Sequence, residues 1–70
     1  MNFKIMLIAG KLELLKNIKN IVDKSGEFIG SEIVGNKFLN VFMGCDTRMV
    51  AFVALQELAK KHNLAYTEQR

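Results

Sequence analysis

SEIVGNKFLNVFM, residues 31–43, decides the fold. Two runs rich in Ile, Val, Leu and Phe flank Gly35-Asn36. Gly and Asn tolerate the positive φ that both central positions of a tight hairpin turn require. The stretch therefore reads as two antiparallel strands, Glu27–Val34 and Lys37–Met43, joined by a two-residue turn. Such a turn pairs Val34 with Lys37 and Ile33 with Phe38. Paired residues share a face. One face then carries Ile29, Ser31, Ile33, Phe38, Asn40 and Phe42. The other carries Phe28, Gly30, Glu32, Val34, Lys37, Leu39, Val41 and Met43. The first has no charge and is assigned to the core. The second holds Glu32 and Lys37 and is assigned to the open side.

Outward from the hairpin, the flanking segments complete the fold. Phe3–Ala9 is rich in Ile and Leu and reads as a strand ended by Gly10. From Lys11 to Lys24, Leu14, Leu15, Ile18, Ile21 and Val22 form the stripe of an amphipathic helix. Gly26 suits its left-handed C-terminal cap. After the hairpin, Asp46 or Thr47 is expected to cap a helix that runs to about His62. Its core stripe is Ala51, Phe52, Leu55, Leu58 and Ala59. Ala65–Gln69 is read as a short fourth strand. The order β-α-β-β-α-β is the pattern of an α+β, ferredoxin-like split βαβ domain, an antiparallel sheet with both helices on one face. That fold hosts many functions and names none.

Composition narrows the classes. Seventy residues make one domain, 1–70, near the lower limit of stability for a monomer. One cysteine excludes an internal disulfide, and one Cys with one His does not make a structural zinc site. Half of the chain is hydrophobic, more than so small an interior can hold, so apolar surface is left over for a partner. The longest apolar run, Ile5–Ala9, is too short to span a membrane. A free thiol without a signal pattern points to a reducing, cytoplasmic setting. A net charge of +3 permits an acidic partner and requires none.

No constellation of residues carries a reaction. Cys45 stands just before a helix start, a setting of reactive thiols. The lone histidine, His62, lies at the far end of the same helix, roughly 24 Å away at about 1.5 Å per residue. No Cys–His pair forms, and Cys45 is expected to be a buried small hydrophobe. Gly10-Lys11 lacks the preceding glycine and the following Ser or Thr of a phosphate loop. The carboxylates are scattered, and no metal or cofactor is expected. Thr47 and Arg48 at the second helix start are candidate anion contacts.

The residue pattern of Glu13–Ile29, ELLKNIKNIVDKSGEFI, resembles the first helix and second strand of small-molecule-binding ACT regulatory domains. Leu14, Leu15, Ile18, Val22, Gly26 and Ile29 carry the similarity. The position of that family's ligand-turn glycine holds Glu13 here, and no family is assigned. The expectation is instead a non-enzymatic binding protein, a homodimeric modulator of the inhibitor, adaptor or decoy kind. Its expected contacts are Met6, Ile8, Leu39, Val41 and Met43 on the open sheet face, with Met49, Val50 and Val53 on the outer side of the second helix. The alternatives are a dimer holding a nucleotide-like or amino-acid ligand, and an RNA-binding module for which Phe38 and Phe42 are the nearest approach to a stacking pair.

Overall fold

A computed structural model describes residues 2–69. The elements are β1 (Phe3–Ile8), α1 (Leu12–Ser25), β2 (Gly30–Val34), β3 (Phe38–Met43), α2 (Met49–Lys61) and β4 (Ala65–Gln69). The sheet order is β2-β3-β1-β4, and every neighbouring pair is antiparallel. β1 and β2 therefore run parallel to each other across β3, and α1 makes the crossover between them. α2 makes the corresponding crossover from β3 to β4. Leu15, Ile18 and Val22 from α1 join Leu55 and Ala59 from α2 in a single cluster with Ile5, Leu7, Leu39 and Val41. Both helices thus cover the same face of the sheet, and the domain is α+β.

Local chemistry accounts for the helix ends. α1 closes on Gly26 at φ 69, the left-handed conformation that costs glycine nothing. α2 closes on Asn63, also left-handed at φ 55. There the Leu64 N–H donates to the Ala59 carbonyl at 2.8 Å and the Asn63 N–H to the Lys60 carbonyl at 3.2 Å. This is a Schellman closure, and it turns Leu64 into the core.

The hairpin turn forms at Gly35 (φ 62) and Asn36 (φ 61), as the residue types require. The pairing differs by one residue. Val34 faces Phe38, Ile33 faces Leu39 and Ser31 faces Val41. Lys37 has no register partner in β2: its N–H closes the turn on the Val34 carbonyl at 3.4 Å, and its carbonyl accepts from the Ala9 N–H at 3.0 Å. One inserted residue reverses every side chain of the following strand. β2 keeps its expected faces, whereas β3 is inverted. Leu39, Val41 and Met43, expected on the open side, are fully buried beneath the helices. Phe38, Asn40 and Phe42, expected in the core, lie on the open face. Register correlates with polarity: one face of β3 is wholly aliphatic, and the other carries the Asn40 amide between two phenylalanines.

Three further expectations are corrected. β2 begins at Gly30, not Glu27, and Ile29 just before it is 61% exposed. α2 begins at Met49, after an Arg48 N-cap that makes no side-chain capping bond. Thr47 closes the preceding turn instead: its N–H donates to the Gly44 carbonyl and its Oγ1 accepts from the Gly44 N–H, both at 3.0 Å. That turn carries Cys45 out of the sheet, so the thiol is exposed and not buried.

The register has a direct measurement. Leu39→Ala should lower unfolding free energy by about 2–5 kcal/mol, the cost of emptying a core site. Phe38→Ala, on the uncovered face, should cost clearly less in the same urea titration. The reverse order would put β3 in the two-residue register.

Candidate functional site

The open face of the sheet is a grid of three rows. Across β2, β3, β1 and β4 these are Gly30, Phe42, Lys4 and Gln69; then Glu32, Asn40, Met6 and Thr67; then Val34, Phe38, Ile8 and Ala65. Met6 and Ile8 are here, as expected, and are half-buried. Their expected neighbours Leu39, Val41 and Met43 are on the other side. Asn40 is buried by the side chains around it, and its Oδ1 accepts no hydrogen bond.

The helix side carries a second apolar surface. α1 and α2 diverge, and between them opens a groove of about 370 Å³. Val22, Phe28, Ala51 and Leu55 line it beside Ile21 of α1 and Val50 and Ala54 of α2. Ile21 is 53% and Val50 78% exposed. Glu27 is the one charged group among the lining residues, and its Oε2 lies 3.8 Å from Arg48 Nε. The small side chains of Ala51 and Ala54 leave the groove open on the α2 side.

Val50 therefore belongs to the groove. Met49 does not: it lines a separate depression of about 310 Å³ with Phe52, Cys45 and Glu68 of β4. Val53 follows Met49 by one helical turn and is also exposed. The second-helix contacts expected from the sequence are thus all exposed but divide between two flanks. Ile21 was absent from that set because it falls within the apolar stripe of α1. The signal that could have found it is its position at the edge of that stripe, facing the helix that carries Val50.

Thr47 and Arg48, the candidate anion contacts, each have a partner within the chain. The Thr47 hydroxyl oxygen is engaged by the Gly44 N–H, and the charge nearest Arg48 is the Glu27 carboxylate. Among the described residues, no group of three or more His, Cys, Asp or Glu side chains could hold a metal ion. None of their helices is long and apolar enough to cross a membrane.

One polar cluster was not foreseen. Lys19 Nζ donates to Asp23 Oδ2 at 2.8 Å, to the Ser31 carbonyl at 2.9 Å and to Ser31 Oγ at 3.1 Å. Ser31 Oγ donates to Asp23 Oδ1 at 2.6 Å. The cluster ties the exposed edge of α1 to the edge strand β2. The Lys19 ammonium, then the Ser31 hydroxyl, hold the Asp23 carboxyl below its ordinary value of 3.8. A carboxylate depressed on folding stabilises the fold above its unfolded pKa, and that stabilisation is lost as pH falls through the folded one. Asp23→Asn should therefore lower Tm at neutral pH, and the gap to the natural protein should close as pH drops well below 3.8. A gap that persisted at the lowest pH would assign the effect to shape rather than charge.

No protein-family model matches this chain, and no curated protein matches it.

Proposed function

We propose that the chain is a non-enzymatic protein-binding domain, a homodimeric modulator that acts by occupying or bridging a larger protein. The fold is read as ferredoxin-like: from the β4 edge the strands run β4-β1-β3-β2, with both crossover helices on one side. The observation that carries the functional proposal is the groove between α1 and α2. It is mostly apolar and is rimmed by Ile21 and Val50, which water still reaches. A groove between two helices suits the apolar stripe of a partner helix. Covering these two rim side chains is worth roughly 1–2 kcal/mol each, in proportion to the surface they still expose.

The test is capture of a partner from an extract of the source cells, then reconstitution with that partner purified. Ile21→Asp and Val50→Asp should each weaken binding at least tenfold, while Lys16→Ala on the solvent side of α1 leaves it unchanged. Binding that survives both Asp substitutions removes the groove. Failure to recover any partner removes the modulator.

A second candidate function follows from the inverted register. Phe38 and Phe42 now lie on the open face on either side of Asn40, with Lys4 paired to Phe42. Aromatic side chains on an open sheet can stack single-stranded bases. If they do, a gel shift with single-stranded RNA should weaken steeply with salt and be lost in Phe38→Ala/Phe42→Ala. A shift that the double substitution leaves intact, or no shift at low salt, excludes this function.

A further inference from the structure

The two edges of the sheet are treated differently. At the β2 edge, the Lys19 ammonium sits on the Ser31 carbonyl and Asp23 holds the ammonium in place. A charge placed there blocks the approach of another strand. The described residues of the β4 edge include no lysine placed in this way. Its residues Ala65, Tyr66, Thr67, Glu68 and Gln69 include no proline, glycine or lysine. All of them are exposed, and they pair with β1 in an unbroken register.

Beside this edge lies surplus apolar surface. Tyr66 pairs with Leu7, a core residue, so it stands on the helix side of the sheet, where it is 37% exposed. Met49 shares its depression with Glu68, which sets this flank of α2 next to β4. Met49 is 73% and Val53 43% exposed. Three of the large apolar side chains that water reaches thus line one side of the β4 edge. Val50 and Ala54 face the groove on the opposite flank of α2.

We infer that this edge is a self-interface: β4 pairs antiparallel with β4 of a second copy, giving one continuous eight-stranded sheet. The inference rests on the homodimer proposed above and assigns its surface. The occupant is a second copy because the strand is complementary to itself. With Thr67 on the two-fold axis, Ala65 faces Gln69 of the second copy and Tyr66 faces its Glu68. No charge meets its like, the Tyr66 hydroxyl can donate to the opposing carboxylate, and a β-branched pair sits at the centre. The same axis brings the two α2 flanks together, so that Met49 and Val53 of each copy cover those of the other. A contact of this form is isologous and closes at two copies. It also suits a chain whose core holds few side chains and gains from shared burial.

Two measurements test it. Sedimentation should give twice the chain mass for the natural protein and the single mass for Met49→Asp/Val53→Asp, with the circular dichroism of both alike. In a Cys45→Ser background, Thr67→Cys should form a disulfide-linked dimer on mild oxidation, because facing residues on paired antiparallel strands lie about 4.5–5.5 Å apart. Lys16→Cys in the same background should not. The cysteine pair gives an independent readout if the double Asp variant does not fold. A natural protein that sediments as a single chain overturns the interface and the homodimer together. A dimer that survives both Asp substitutions and is not trapped at position 67 overturns the β4 interface and leaves the homodimer standing on another surface. Protein captured at the groove but monomeric leaves the modulator intact without self-pairing.

Discussion

Lys37 closes the hairpin turn through its N–H on the Val34 carbonyl and precedes a strand that has not yet begun to pair. The turn residues Gly35 and Asn36 reverse the chain, and Lys37 then takes a place in the register that no residue of β2 answers. Its carbonyl is satisfied by the Ala9 N–H, which keeps the end of β1 in register with the hairpin. The faces of β3 follow from this one residue. With it, three aliphatic side chains enter the space beneath two helices. Without it, Phe38, Asn40 and Phe42 would enter that space and the three aliphatic side chains would take the open face.

The parts of the fold legible in the sequence were those governed by short-range chemistry. The stripe of Leu15, Ile18 and Val22 located α1, and Gly26 located its end. Gly35-Asn36 located a turn with the required backbone. Register was not legible from the turn alone, because a hairpin that tolerates one extra residue has two solutions with opposite faces. Glu32 and Lys37 were weighed as markers of the open side, but Lys37 belongs to the bulge and marks neither face. Asn40 was the better guide: on β3 it is the only polar side chain, and the face without it is the core. The expected Asp46 or Thr47 cap was lost for a related reason. Thr47 found a nearer donor, the N–H of Gly44, in the turn that leaves β3.

The candidate surfaces were legible as a surplus rather than as a place. Half of the residues are hydrophobic, and a two-helix layer over four short strands cannot hide them all. Met49, Val50 and Val53 were recognisable as lying outside the α2 stripe. That Val50 turns toward α1 and Met49 toward β4 depends on where α2 crosses the sheet, which no periodicity encodes. The alanines of α2 matter in the same way. Ala51 and Ala54 place little bulk at the groove, so the two helices pack on the sheet more than on each other and leave a space that larger side chains would have filled.

The Lys19–Asp23–Ser31 cluster bears on how far such a sheet can grow. A sheet open at both edges has no natural end: each added copy presents a fresh edge, and the product is a fibre. With β2 occupied by an ammonium, a sheet extended through β4 as proposed above would be exhausted once two chains had met. On the β4 pairing proposed above, three polar side chains on the surface of α1 and β2 set an upper limit on stoichiometry, a quantity to which the apolar core is indifferent.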